Sequence, residues 1–327
     1  MTTMAVALRD TLLREMQRDE SIYVIGEDVE LAYVFGVTKG LKEEVGESRV
    51  RDTPMAEAAI VGMGIGAAAV GLRPVVELQF SDFATLAMDQ LVNHAAKMRY
   101  MSGGQIAVPL VIRMPVGSFG NYGPQHCQSF QAWFCNTPGL IVAMPSGVRS
   151  AVGLMRTALR GADPVVFLEP KALYQLDEEL IEAEVCVPFG EAEIKREGSD
   201  VTVVATGSLV REALLAATEA TERGVNVEVL DPRTLSPLDV DSIRRSVEKT
   251  GRLVVADEGN LTCGYAAEVV ARVCESAWGS LLAPPRRVCV PDTPIPVARE
   301  QERSVVPRAS QVLEAILSCT VVSGTSA

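Results

Sequence analysis

Short apolar runs alternate with longer segments in which apolar residues recur every three or four positions. The short runs are typical of buried strands, and the longer segments are typical of helices. In the N-terminal half, strands are predicted at 22–25, 74–78, 109–112, 140–144 and 165–168. Helices are predicted between them at 54–70, 83–101 and 148–159. This alternation predicts an α/β fold with a mostly parallel sheet.

The same alternation begins again after an acidic, irregular stretch at 176–183. Strands are predicted at 201–205, 225–230, 252–256 and 287–290. Helices are predicted at 209–223, 237–248, 265–275 and 309–317. We therefore predict two α/β domains, 1–185 and 186–320, and a flexible tail at 321–327 that has no periodic pattern.

Composition limits the classes of partner. The 327 residues are 48% hydrophobic and 22% charged, which is the balance of a folded protein with a large core. A formal net charge of −12 argues against nucleic acid and anionic membranes, because both need clustered cationic side chains. Segment 1–16 has the pattern of an amphipathic helix, and we find no apolar run of the roughly 18 to 20 residues that a membrane span requires.

The cysteines indicate a reducing compartment. There are seven, an odd number, and none is spaced as C-x-x-C. Free thiols in the cytoplasm are the expectation that fits this pattern. With only two histidines and no cysteine cluster, the chain has almost no ligand set for structural zinc.

Glu57 is the only charged residue between Asp52 and Arg73. An acid in such an apolar segment is expected to be poorly solvated and to hold its proton tightly. Thr53 and Pro54 predict an N-cap and a first helical residue, which would place Glu57 in the first turns, where the helix dipole favours a negative charge. The residues themselves leave open whether this acid serves the dipole or a reaction.

The glycines at 62, 64 and 66 resemble a dinucleotide-binding fingerprint only superficially. That fingerprint follows a strand and opens a helix, whereas these glycines fall inside a predicted helix. We interpret the small residues at 62 and 66 as a packing surface against another backbone.

Three further positions are candidates for chemistry. His126 lies in a glycine-rich loop after a predicted strand, where α/β proteins place ligand-binding groups, and imidazole exchanges protons near neutral pH. Gln79 and Phe83 follow another strand and suit a flat ring that needs an edge hydrogen bond and a stacking face. His94 is interpreted as structural, and a thiolate nucleophile at Cys127 is disfavoured because no third group is evident to orient it.

Several blocks of sequence, in one order, carry a family resemblance over nearly the whole chain. They are Gly26-Glu27-Asp28, Asp52-Thr53-Pro54, Glu57, 71–74, 77–80, 95–104, Gln125-His126, 138–140, 167–171, 235–239 and 249–253. The chain closely resembles the β subunit of the thiamine-diphosphate-dependent E1 component of 2-oxo acid dehydrogenase complexes, of the pyruvate, branched-chain and acetoin types. The resemblance implies a pyrimidine-binding domain followed by a transketolase-like C-terminal domain.

The resemblance also implies an α2β2 assembly that acts on a small 2-oxo acid and passes the acyl group to a lipoyl-bearing E2. In that family the α subunit holds the diphosphate and Mg²⁺ through a Gly-Asp-Gly motif, and this sequence contains no such motif. The chain is therefore expected to supply only half of the cofactor site.

Residue by residue, the resemblance assigns roles. Glu57 matches the glutamate that bonds the N1′ atom of the aminopyrimidine and relays the proton that activates the cofactor. Phe83, Met55 and Gln79 match residues that line the same pocket, and His126 matches the histidine that faces the substrate.

Two features of that family are less directly readable in this chain. Asp89 matches an acid of a proposed proton channel between the two active sites, but Leu86 stands where some bacterial relatives carry a second acid. A K⁺ site built mostly from backbone carbonyls would fall at Leu110, Val111, Ala158, Gly161 and Asp163. The substrate-facing loop before His126 and the cysteine after it also differ from the common pattern, so the identity of the 2-oxo acid stays open.

Two alternatives stay open beside the dehydrogenase. One is transketolase-like transfer of a two-carbon unit from a ketose to an acyl carrier protein with the same cofactor. The other is a non-catalytic scaffold that keeps the fold, against which the intact Glu57, Phe83 and His126 argue.

Overall fold

The computed structural model describes residues 1–32, 35–179 and 185–320, and the chain divides into two compact units. The first unit contains 1–119, 125–189 and 235–237, and the second contains 120–124, 190–234 and the chain from 238 onward. The predicted tail at 321–327 lies outside the described residues.

The first unit is built on a seven-stranded sheet. In spatial order its strands are Thr234–Ser236, Ile141–Ala143, Val165–Pro170, Val111–Val116, Arg73–Glu77, Ile22–Gly26 and Val50–Asp52. The last six of these strands run parallel to one another. Their side chains are mostly buried on both faces, which is why the strands read as continuous apolar runs. The five strands predicted for this half are confirmed, with ends shifted by up to four residues.

Helices cover this sheet. The α-helices are Met4–Arg18, Leu41–Val45, Glu57–Ala69, Met98–Met101, Gln131–Cys135 and Val148–Arg160. Shorter helical turns are Ser81–Ala87, Gln90–Ala95 and Lys171–Leu173. The first and last α-helices pack in one buried core with the sheet, which confirms the amphipathic pattern of the N-terminal segment.

The N-cap predicted at Thr53 is wrong. The helix begins at Glu57 with Ala56 as its N-cap residue. The backbone N–H of Thr53 donates to the carbonyl of Gly26 at 3.0 Å, so the chain continues the strand pairing past Asp52 and turns into the helix only after Pro54.

The single helix predicted at 83–101 is broken into three pieces. Ser81–Ala87 is a 3₁₀ helix, Gln90–Ala95 is a π-helix and Met98–Met101 is one α-helical turn. The amide of Ala96 donates to the carbonyl of Leu91, five residues back, which is the wide hydrogen bond of a π-turn. Apolar spacing changes little between these helix types, so the sequence pattern did not reveal the breaks.

The glycine-rich run lies inside helix Glu57–Ala69, as predicted, but the packing residue is a different one. A Cβ at Gly64 would lie 2.7 Å from Cγ2 of Val76 and 3.1 Å from Cδ1 of Leu110, so this glycine lets the helix approach the sheet closely. Gly66 is exposed, and a Cβ there would meet nothing within 4 Å. The predicted packing role of Gly66 is therefore not seen within this chain.

The second unit has a five-stranded sheet and its own core. In spatial order the strands are Arg286–Val290, Leu253–Asn260, Val201–Ala205, Val227–Asp231 and Glu193–Arg196. The first four are parallel and the last is antiparallel to its neighbour. The helices are Leu209–Glu222, Val240–Thr250, Tyr265–Ala277, Arg299–Val305 and Ala309–Thr320, with a 3₁₀ turn at Trp278–Ser280. All four predicted strands and all four predicted helices of this half are confirmed.

Two predictions from the sequence concern membrane-spanning segments and the state of the cysteines. Among the described residues, no helix is long and apolar enough to cross a membrane. All seven cysteines are free thiols.

Candidate active site

The candidate residues follow the carboxyl ends of neighbouring parallel strands of the first unit. Glu27 directly follows Ile22–Gly26, and Gln79 comes two residues after Arg73–Glu77. His126 lies in the connection after Val111–Val116, and Lys171 directly follows Val165–Pro170. Because the carboxyl ends of parallel strands meet at one edge of the sheet, these connections are the usual place for ligand-binding groups in an open α/β fold.

Glu57 is the first residue of its helix and is half-buried. The N-cap residue, Ala56, offers no side chain to the free backbone amides, so the carboxylate of Glu57 is the acidic group of the first turn. The carboxyl group of Glu27 lies close enough for the charge of Glu57 to affect its pKa. Desolvation raises the pKa of the Glu27 carboxyl, and the negative charges of Asp28 and Glu57 raise it further.

His126 belongs to an aromatic cluster with Phe80 and Phe83. Its imidazole lies 4.9 Å from the Phe80 ring and 5.5 Å from the Phe83 ring between centroids, edge to face in both cases. The two phenyl rings are themselves 5.6 Å apart and edge to face. The predicted stacking ring and the predicted substrate-facing histidine are therefore in contact, and Phe80 fixes them relative to each other.

Hydrogen bonds join the loop after His126 to the segment that carries Phe83. Asp82 accepts from the backbone amide of Gln128 at 3.2 Å and from its side-chain amide at 2.8 Å. The hydroxyl of Ser81 donates to the Gln128 carbonyl at 3.1 Å. These bonds hold the loop after His126 against the 3₁₀ helix Ser81–Ala87, although the two segments are more than 40 residues apart in sequence.

A buried charge cluster joins three neighbouring strands, Arg73–Glu77, Val111–Val116 and Val165–Pro170. The Arg113 guanidinium donates to both carboxylate oxygens of Glu169, at 2.7 and 2.8 Å, and also to Glu77. Tyr174 donates to Glu169 at 2.6 Å, and its ring stacks on Phe35, which meets Phe80 edge to face. Burial raises the pKa of Glu77 although Arg113 opposes that shift, and the two carboxylates raise the pKa of Arg113 despite its desolvation.

Other predicted site residues are more exposed. Met55 is 78% exposed, and Gln79 is half-buried. Asp89 is exposed, accepts from the Asn93 amide at 2.7 Å and lies 3.6 Å from the imidazole of His94. Both of these contacts join Asp89 to residues within five positions of it in sequence, and the proton-channel role stays a prediction.

Cys127 does not have the setting of a nucleophile. Its thiol is buried, and Lys171 donates to it at 3.9 Å. A sulfur shielded from solvent in this way is closed to a substrate that approaches from the loop surface.

Arginine side chains already bind two of the five residues predicted for the K⁺ site. Arg73 donates to the Gly161 carbonyl at 2.6 Å, and Arg99 pairs with Asp163. The carbonyl of Leu110 accepts from the Val165 amide at 2.8 Å. This arrangement does not fit a cation site well, because two arginines already neutralise part of the ligand set, and the K⁺ site stays a prediction.

Comparison with known proteins places the chain in a family. Residues 1–177 match the model of the transketolase pyrimidine-binding domain, and residues 190–312 match that of the transketolase C-terminal domain. A solved chain described as a split-gene transketolase in an inactive β4 tetramer superposes with a TM-score of 0.78 over 97% of both chains. At 21% identity this likeness concerns the fold alone.

Three similar curated proteins are much closer in sequence. The β subunit of acetoin:2,6-dichlorophenolindophenol oxidoreductase from Cupriavidus necator is 43% identical over 95% of both chains. The mitochondrial pyruvate dehydrogenase E1 subunit β-1 of Arabidopsis thaliana is 42% identical, covering 96% of this chain and 88% of the relative. The 2-oxoisovalerate dehydrogenase subunit β 2 of the same plant is 43% identical, covering 95% and 87%.

These matches make the architecture that of the transketolase type. The chain belongs to the family of E1 β subunits of the pyruvate, branched-chain and acetoin dehydrogenases. The resemblance drawn from the sequence blocks is thereby confirmed.

The structure adds three residues to the site that the sequence reading left without a role. Glu27, Phe80 and Lys171 each lie within three residues of a strand end and contact or sense a predicted site residue. Their position after apolar strands was visible in the sequence, but the contacts of Phe80 and Lys171 with His126 and the effect of Glu57 on Glu27 join residues 30 or more positions apart, and only the fold brings these together.

Proposed function

We propose that this chain is the β subunit of an E1 that decarboxylates a 2-oxo acid with thiamine diphosphate and passes the acyl group to a lipoyl-bearing E2. The observation that carries the proposal is the contact of Phe83 with His126 at the same sheet edge as Glu57, in a chain of this family. A stacking ring, a proton-exchanging imidazole and a helix-start carboxyl group are the parts that the reaction requires of this subunit.

The residues present fit the aminopyrimidine half of the cofactor. Glu57 would supply a carboxyl group for a ring nitrogen, Phe83 a face for stacking, the half-buried Gln79 an amide for the ring edge, and Met55 an exposed apolar side chain for the pocket wall. When bound, thiamine diphosphate supplies the carbon that attacks the 2-oxo group. The diphosphate and Mg²⁺ are assigned to the α subunit; no three His, Cys, Asp or Glu side chains of this chain, in its described part, group as metal ligands.

Glu57 has the setting of a proton relay. Its carboxyl group begins the helix, and Glu27 provides a second carboxyl group, close enough that the charge of Glu57 adds to the desolvation that raises the pKa of Glu27. A glutamine at 57 keeps the shape and hydrogen-bonding capacity but does not pass a proton. His126, packed edge to face against Phe80 and Phe83, would face the substrate, and Asp89 would extend the relay towards the second site.

An exposed apolar face supports the α partner. Helix Glu57–Ala69 shows Ala59, Met63 and Gly66 to solvent, and Val70 follows as its C-cap; Met63 is 51% and Val70 80% exposed. These residues recur every three or four positions, so they form one stripe of small and apolar groups. We propose that this stripe, with Met55, is covered by the α subunit in the cytoplasmic complex, where the free thiols of the chain remain reduced.

The function is tested by co-expressing this chain with its α partner and screening 2-oxo acids with an artificial electron acceptor, with thiamine diphosphate and Mg²⁺ present. Decarboxylation of one 2-oxo acid, lost in Glu57→Ala while the complex still assembles, is the expected result. A ketose that serves as donor while every 2-oxo acid is inert would contradict the dehydrogenase assignment. Equal turnover in the Glu57→Ala complex would contradict the role of Glu57.

The partner surface is tested separately by co-purification. Met63→Asp should abolish capture of the α subunit, because a buried unpaired charge at such an interface is strongly unfavourable. Leu215→Asp, at a comparably exposed leucine of helix Leu209–Glu222 in the second unit, is the matched control and should leave capture intact. Retention of α by Met63→Asp would place the interface elsewhere.

A further inference from the structure

Lys171 is a buried cation beside the candidate site. It begins the 3₁₀ turn Lys171–Leu173, immediately after strand Val165–Pro170, and is 2% exposed. An ammonium group removed from water is costly unless other groups replace its hydration. The chain therefore has to provide partners for this nitrogen at the sheet edge, and the partners reveal what the residue does.

The contacts of Lys171 lead to His126. Its Nζ donates to the backbone carbonyl of His126 and, at 3.9 Å, to the sulfur of Cys127. It also lies 5.1 Å from the centre of the Phe80 ring, on the face that attracts cations. Phe80 in turn meets the imidazole of His126 edge to face. The lysine thus contacts both the main chain that carries the imidazole and the ring that abuts it.

These contacts separate a positioning role from a proton-transfer role. A backbone carbonyl only accepts hydrogen bonds, so the bond to His126 uses the lysine as a donor. The described contacts of the ammonium are with the main-chain carbonyl of His126 and with the Phe80 ring that abuts the imidazole, and none is with the imidazole nitrogens. The side chain is arranged to hold the histidine rather than to touch a substrate.

We propose that Lys171 is a positioning residue that sets the orientation of His126 for the E1 reaction. The inference rests on the proposed function, because it assigns His126 to the substrate side. Lys171 binds the main chain at 126, and the imidazole packs edge to face against both Phe80 and Phe83. Loss of the ammonium frees the backbone at 126 and weakens the attraction that seats Phe80, so the imidazole samples other orientations.

The test is a double-mutant cycle in the co-expressed α2β2 complex with thiamine diphosphate and Mg²⁺. Lys171→Met keeps the length of the side chain and removes its charge and its hydrogen bonds. We expect kcat to fall about tenfold to a hundredfold, since a displacement near 1 Å in a positioned group has effects of that size, with KM little changed. In a His126→Ala background, the same substitution should cause no further loss.

Each outcome of the cycle has a distinct meaning. Unchanged kcat in Lys171→Met, with His126→Ala impaired, overturns the inference and leaves the proposed function standing. An additive loss in the double variant also overturns it, because Lys171 would then act independently of His126. Full activity in His126→Ala contradicts the proposed role of the histidine itself, and the inference falls with it.

Two further variants guard against an effect on folding alone. Lys171→Arg retains a cation and donors, so it should recover part of the lost kcat; should Lys171→Met fail to accumulate, it carries the same cycle with a smaller expected loss. Lys195→Met removes a partly exposed lysine of strand Glu193–Arg196 and should leave kcat unchanged.

The orientation of His126 can also be followed by NMR. The chain has two histidines, so with His94→Gln the remaining imidazole resonance of the full chain reports on His126 directly. We expect this resonance to shift or broaden in Lys171→Met and not in Lys195→Met, and an unaltered resonance would count against the positioning role.

Discussion

The ring of Phe80 lies edge to face against the imidazole of His126, with centroids 4.9 Å apart and ring planes at 86°. Phe80 is buried and contacts Phe83, Phe35 and the ammonium of Lys171 as well. One phenyl ring thus links the predicted stacking residue, the predicted substrate-facing residue and the buried lysine. The geometry of the candidate site depends on this ring.

Replacing Phe80 should therefore affect turnover more than its burial alone implies. Phe80→Leu keeps an apolar side chain but removes three edge-to-face contacts, with Phe35, Phe83 and His126, of about 0.5 to 1.5 kcal/mol each. We expect kcat of the complex to fall about tenfold, in the range found when a positioned group moves. Phe134→Leu, at a buried phenylalanine of helix Gln131–Cys135, is the matched control. Equal kcat in the two variants would show that Phe80 serves packing only.

The sequence could predict the strands of this site but not its contacts. Apolar runs placed Gln79, Phe83 and His126 after strand ends, and the family resemblance supplied their roles. Phe80 and Lys171 were missed because their importance comes from pairs 45 and more residues apart, which no local periodicity records. The prediction of an N-cap at Thr53 was wrong for a related reason, because the backbone amide of Thr53 donates to the carbonyl of Gly26 in a neighbouring strand.

Two glycines of one helix should respond in opposite directions to alanine. Gly64→Ala places a methyl group 2.7 Å from Val76, so overpacking should lower the free energy of unfolding by about 1 to 3 kcal/mol. Gly66→Ala meets open space in the isolated chain and should raise it by about 0.5 to 1 kcal/mol, because alanine is the better helix former. Urea unfolding of the isolated chain measures both. Destabilisation by Gly66→Ala would contradict the open space that surrounds position 66 on the exposed stripe.

The Arg113 cluster should dominate the stability of the first unit. Glu169→Gln removes the carboxylate that accepts two bonds from Arg113 and one from Tyr174, and breaking a buried ion pair costs about 3 to 5 kcal/mol. Glu219→Gln, which breaks the exposed pair with Arg223 on a helix surface, should cost less than about 0.5 kcal/mol. Thermal unfolding of the two variants compares them. Similar melting temperatures would mean that the buried cluster contributes little net stability.

Asp239 gives the second unit a defined pH dependence. It caps helix Val240–Thr250 by accepting from the Ser242 amide at 3.0 Å, and it also accepts from the Ala192 amide at 2.9 Å. Desolvation raises its pKa, but these hydrogen bonds outweigh it and lower the pKa below the ordinary 3.8. The unfolded chain therefore takes up this proton at a higher pH than the folded chain does. The stabilisation is complete above 3.8 and is lost as pH falls through the lower folded value.

Asp239→Ala should accordingly lower the free energy of unfolding by about 1 kcal/mol at neutral pH, as expected for a lost N-cap. The difference from the wild-type chain should shrink once the pH falls below 3.8. Asp241→Ala, an exposed acid in the same first turn, is the control and should show a smaller effect. A difference for Asp239→Ala that is constant with pH would show that the carboxylate charge is not involved.

Exchange of the thiazolium C2 proton of bound thiamine diphosphate tests the central claim, the proton relay at Glu57, most directly. The rate of this exchange for deuterium is measured by NMR after acid quench, in the α2β2 complex with wild-type chain and with Glu57→Gln, at cofactor concentrations that saturate both. We predict that Glu57→Gln binds the cofactor and slows exchange about a hundredfold or more, the usual contribution of a positioned acid or base. An equal exchange rate with the cofactor bound would contradict the account.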